Sequence, residues 1–191
     1  MTSFIGELTP WQVAEAVQKA IDAYLGINQE QFNPDGKAGG YFFLGTRFAK
    51  QQFLLFPFGD IVDGKVAKYT HFASHRKPDM LRYNPSVTAS AQIQSADHAL
   101  WGGAVAITPN PNNFPELVAE LGYFDEEKKV VEELVGAFSG LSADGDEGIV
   151  VCTFLFPGLI TRAEALAIFS SKKRTTGINQ TGLAMLNKLS H

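Results

Sequence analysis

The sequence has a single cysteine, Cys152, so no disulfide can form within the chain. Its setting in the apolar run Ile149 to Phe156 predicts a buried, inert thiol rather than a nucleophile. That cysteine usage fits a reducing compartment. Charge is also sparse, at 19% of residues, and the net charge of -4 argues against general binding to phosphate backbones. No apolar window reaches the ~18 residues needed to span a membrane. The opening MTSFIGELTP lacks a basic region followed by an apolar run and is no signal peptide, which makes the cytoplasm the expected location.

Catalytic signatures are missing too. No GxSxG elbow, HExxH helix, paired CxxC or Rossmann fingerprint occurs. The glycine-rich segment 27–40 has no P-loop spacing and reads as a loop. The acidic segment 142–148 (SADGDEG) resembles a weak calcium loop but lacks the DxDxDG spacing and the distal glutamate, so it reads as a turn. No metal site and no cofactor is indicated. Such absences do not exclude an enzyme, because sites are often assembled from residues scattered along the chain.

What the chain does have is phenylalanine, concentrated between Gly39 and Ala73. Tyr41 to Ala49 is apolar on both alternating faces, with Phe42, Leu44 and Phe48 on one and Tyr41, Phe43 and Ala49 on the other. A strand of that kind is covered on both sides. Phe53 to Phe58 repeats the pattern, with Pro57 pointing to an edge, a bulge or a strand end. Asp63-Gly64 between Ile61-Val62 and Lys65-Ala67 predicts a hairpin, and with it a three-stranded meander.

Around this sheet, helices are marked by their ends. Thr9, Pro10 and Gln12 open a helix that runs to Gly26, and Thr161 with Glu164 opens another that runs to Phe169. A closing helix carries Leu183, Leu186 and Leu189. The spacing predicts a helical hairpin from Pro115 to Leu121 and from Glu126 to Phe138. Val87 to Ser95, Ala99 to Thr108 and Ile149 to Phe156 read as strands, the second broken at Gly102-Gly103 and the third central. Residues 74–86 read as a turn-rich, basic connection. The expected architecture is a single α+β domain, 1–191, with a mainly antiparallel sheet of about five or six strands and helices on one face.

Three residue groups can carry chemistry. His71, His75, Asp97 and His98 supply acid–base groups. On a helix, His71 and His75 would face one metal ion; on the expected strand they lie about 13 Å apart, too far to share one. Lys172, Lys173 and Arg174, with Arg76 and Lys77, form a second group suited to an anion, although cations in a helix's last turn also complement its dipole. Arg47 interrupts an apolar strand and needs a carboxylate, an anionic ligand or a route to water.

The leading expectation is a non-catalytic binding or assembly module, with the aromatic sheet and the nearly uncharged stretch 83–115 as pocket or interface. The alternatives are a small-molecule enzyme using the histidines and Asp97, and an anion or nucleotide binder using the cations. Expected partners are a second copy of the chain, or a small-molecule or anionic ligand, with no general nucleic-acid binding and no membrane span.

Overall fold

The computed structural model describes residues 7–95, 101–122 and 132–189. Its centre is a four-stranded antiparallel sheet in the order β2-β1-β4-β3, formed by β1 (Ala38–Thr46), β2 (Gln52–Asp60), β3 (Ala104–Ile107) and β4 (Leu134–Ser139). The class is the expected α+β, with fewer strands among the described residues than the sequence predicts.

β1 divides its side chains as its sequence dictates. Phe42 and Leu44 enter one apolar core, while Phe43 enters a second core on the opposite face. The strand ends at Thr46, so Phe48 and Ala49 belong to the hairpin loop. There the buried Glu132 carboxylate accepts hydrogen bonds from their two backbone N–H groups, each at 2.7 Å. β2 is the sheet's edge, as Pro57 foreshadows. It is not covered on both sides, and Phe56 is 42% exposed.

The first core lies under α1 (Pro10–Leu25), α5 (Pro115–Gly122), α6 (Ala143–Leu155), α7 (Arg162–Phe169) and α8 (Gln180–Lys188), after the single turn α2 (Gln29–Phe32). Both expected capping boxes form, at Thr9 with Gln12 and at Thr161 with Glu164. Each apolar side chain buried there contributes roughly 1.5–3 kcal/mol. The second face is covered as well, which corrects the one-sided arrangement. A continuous helical segment lies on it, made of α3 (Val66–His71), a π-helical turn (Phe72–Arg76) and α4 (Lys77–Arg82). Its Ala73 and Leu81 pack on Phe43, Val135 and Ala137.

Four local readings are overturned. Asp63-Gly64 does turn the chain, with Lys65 N–H donating to Val62 O and Gly64 at φ +73°. The turn leads into α3, however, and not into a third strand, so segment 66–82 is helix where strand and turns were expected. Residues 87–95 hold a 3₁₀ turn and isolated bridge positions rather than a strand, with Ala89 bridging to Val105.

The third and fourth are a pair. Leu134 to Ser139 is the central strand β4, not the end of a helix, whereas Ile149 to Leu155 lies in the helix α6, not in a strand. Of the expected second hairpin helix, residues 126–131 lie outside those described. Both runs are apolar at nearly every position, and a run buried on all sides shows no periodicity that separates the two forms. The helix signal of α6 sits upstream, where Ser142 Oγ accepts the Gly145 N–H at 3.1 Å as its N-cap. Its glycines set the packing distance: a Cβ on Gly145 would lie 3.0 Å from the Tyr24 ring of α1. Among the described residues no helix is long and apolar enough to cross a membrane.

Candidate functional site

β4 ends at Ser139, and the chain turns through Gly140 and Leu141 into the N-terminus of α6. Against that turn lie α3, the π-turn and α4, leaving a cleft between the two layers. It contains a cavity of about 420 Å³ lined by Lys37, Lys68, Tyr69, Phe72, Lys77, Trp101, Asp146 and the Ser139–Ala143 turn. A second cavity of about 240 Å³ adjoins it, lined by Phe72, Arg76, Lys77, Asp79, Met80, Tyr83, Asn84 and Trp101.

The floor shared by both cavities is Lys77. It is 2% exposed, and its ammonium donates to Phe138 O at 2.6 Å and to Asp146 Oδ2 at 2.5 Å. An ammonium has three N–H donors, so among the described residues one remains for a ligand. Asp146 is fully used: its Oδ1 accepts the Leu141 N–H at 2.8 Å. Burial pushes the Asp146 carboxyl up from its ordinary value, opposed chiefly by the Lys77 charge. Gly103 makes room for the pair. It sits at φ +105°, and a Cβ there would come within 2.5 Å of Asp146 Cβ and 2.7 Å of Lys77 Nζ.

The π-turn explains why Lys77 and Phe72 face the same cleft. Five residues apart, they would sit about 140° apart around an α-helix. Here the Lys77 N–H donates to Phe72 O, the i to i+5 bond of a π-turn. One extra residue in the turn brings the two side chains to the same side, a placement typical of π-bulges at functional positions.

The other acidic groups of α6 face a closed site. Arg174, with its side chain fully buried, donates to Glu147 Oε1, to Asp144 Oδ1 at 2.6 Å and to Gly177 O at 2.6 Å. Asn179 Nδ2 also donates to Glu147 Oε1, at 3.1 Å. Glu147 Oε2 is buried without a hydrogen-bond partner among the described residues. Burial pushes the Glu147 carboxyl up to about 7, with Arg174 opposing, and pushes Asp144 up as well. The Cys152 thiol is raised to about 12 by burial, which keeps it protonated.

Arg47 is 1% exposed and its guanidinium is spent inside the protein. It pairs with Glu133 and donates to Leu81 O, Asn84 O and Val87 O, the latter two at 2.8 Å and 2.6 Å. It thus caps the C-terminal carbonyls of α4 and ties that helix to the end of β1. It does not reach water.

His71 and His75 lie on consecutive helical turns with their rings stacked, centroids 5.5 Å apart. They are close because the segment is helical and not a strand. Both are exposed, and neither lines the two cavities. Asp97 and His98 lie outside the described residues. Among the described residues no three ligating side chains gather into a metal site.

Of the cations named from sequence, the structure brings Arg76 and Lys77 to the cleft. Lys172 and Lys173 are exposed in the turn after α7 and line neither cavity. The cleft residues that sequence reasoning missed are Lys37, Lys68, Tyr69, Trp101 and Asp146. For Asp146 a signal existed: serine followed by acidic residues opens a helix as well as it makes a turn. The chain matches no family model, no curated protein and no solved structure with which it was compared.

Proposed function

We propose that this chain is a binding module for a small anionic molecule, held in the cleft between the π-turn and the start of α6. The observation that carries this reading is Lys77, a nearly buried ammonium that, among the described residues, has a donor to spare at the floor of a half-open cavity. Lys37 and Lys68 add positive charge at the rim. Among the described residues the carboxylate lining that cavity is Asp146, which is already neutralised by Lys77. Tyr69, Phe72 and Trp101 supply the apolar walls that ligand pockets favour around a few converging polar groups. The positive end of the α6 dipole lies at the same opening and adds to the attraction.

The test is a thermal-unfolding screen with acetate, benzoate and inorganic phosphate on the native chain and on the double variant Lys37→Ala/Lys68→Ala. Stabilisation of the native chain that is lost in the double variant is the expected result. A flat response of the native chain to all three anions would overturn the reading.

A further inference from the structure

The cleft has two lobes of unlike chemistry, and they meet at three side chains. Phe72, Lys77 and Trp101 line both cavities. Beyond them the larger lobe is cationic, through Lys37 and Lys68. The smaller lobe is walled by Met80 and Tyr83, with Arg76 and Asn84 at its sides. The carboxylate among its described lining residues, Asp79, is engaged by Arg82 at 3.2 Å.

A compact anion fills only the first of these spaces. The second, at about 240 Å³, exceeds the ~150 Å³ cavity that accommodates a single benzene ring. Its lining of aromatic rings and a thioether favours a flat, polarisable body by stacking and sulfur–aromatic contact. We infer that the ligand of this cleft is a fused-ring aromatic carboxylate, its acid group against Lys77 in the larger lobe and its ring system past Phe72 and Trp101 in the smaller.

This inference rests on the proposed anion site, and one set of titrations separates the two. Calorimetry is run with acetate, benzoate, 2-naphthoate and the neutral 2-naphthylmethanol. The expected order of affinity is 2-naphthoate, benzoate, acetate, with at least a tenfold span from first to last. The neutral alcohol binds at least tenfold more weakly than 2-naphthoate. Tyr83 is 70% exposed, so Tyr83→Ala leaves the fold intact. That substitution lowers 2-naphthoate affinity severalfold while leaving acetate unchanged, and Lys37→Ala/Lys68→Ala weakens every anion.

Equal affinity for acetate and 2-naphthoate would overturn the two-lobe ligand and leave the anion site standing. So would 2-naphthoate binding that is indifferent to Tyr83→Ala. Binding of 2-naphthylmethanol as tight as that of 2-naphthoate would overturn the carboxylate head. Absence of binding by any of the four compounds would overturn both the inference and the site it rests on.

Discussion

Asp146 and Glu147 are adjacent in sequence and both buried on α6, yet they serve opposite arrangements. Asp146 meets Lys77 across the sheet's end, beneath a cavity, and among the described residues the lysine keeps a donor in reserve. Glu147 meets Arg174 in a site closed by Asn179, Asp144 and the carbonyl of Gly177. The difference lies in the cations. Arginine's planar fork makes several directed bonds to protein acceptors, as it does at both Arg174 and Arg47, away from the two cavities. A lysine is a point charge that two acceptors hold without using every proton. Burial alone therefore does not separate a binding cation from a structural one; what counts is whether the cation faces a cavity, as Lys77 does and the two arginines do not.

The largest effect that would break this comparison is expected at Lys77. Lys77→Met leaves Asp146 buried beside no cation and costs about 3–5 kcal/mol, read by urea unfolding. The double change Lys77→Met/Asp146→Leu recovers most of that loss. A cost below about 1 kcal/mol for the single change would mean that the pair does not hold the cleft's floor.

Arg174→Met is expected to cost somewhat less, about 2–4 kcal/mol near pH 8, because Glu147 can accept a proton once the guanidinium is gone. The loss should shrink near pH 5.5. A pH-independent loss would contradict a readily protonated Glu147.

The third test sharpens the contrast through pH. Glu147 is raised from 4.5 to about 7 in the fold, so between these values the folded chain binds more protons than the unfolded one. Stability contributed this way is present in full below about pH 4.5 and is lost as pH rises through about 7. Asp144 and Asp146, also raised, act with the same sign. Stability should therefore fall by about 1–3 kcal/mol from pH 5 to pH 8, and Glu147→Gln should flatten much of that slope. A rise in stability over the same range would reverse the sign and refute the assignment.

The smallest effect on stability belongs to the rim. Lys68 is exposed and Lys37 pairs with the surface carboxylate Asp35 at 3.0 Å. Lys37→Ala/Lys68→Ala should shift unfolding by no more than about 0.5 kcal/mol. Its effect on anion binding, by contrast, should be large. A destabilised double variant would place these lysines in the structural group with Arg47.

Much of the fold is legible where a local rule acts. Thr9 with Gln12 and Thr161 with Glu164 announce their helices because a capping box is a contact within four residues. The two faces of β1 come from alternation, and Pro57 marks an edge because it cannot donate to a ladder. Legibility fails where burial is complete. Leu134 to Ser139 and Ile149 to Leu155 are both apolar at nearly every position, and each reads as the other's form. The site suffers most. Arg76 and Lys77 stand out as cations, but the wall of Tyr69, Phe72 and Trp101 has no sequence pattern, and the π-turn that aims Phe72 and Lys77 together reads as an ordinary turn-rich stretch.

By itself, then, the sequence determined the class of fold, the ends of its capped helices, the two-faced strand at its centre and the inertness of Cys152. Each of these depends on neighbours in the chain or on composition. Only the tertiary structure decided which apolar run is strand and which is helix, which face the second helical layer covers, and which cations are spent. Those outcomes depend on partners far apart in sequence: Lys77 with Asp146, Arg47 with Glu133 and the carbonyls from Leu81 to Val87, Arg174 with Glu147. A buried charge takes its role from the acceptors the fold brings to it, and no local pattern encodes that meeting.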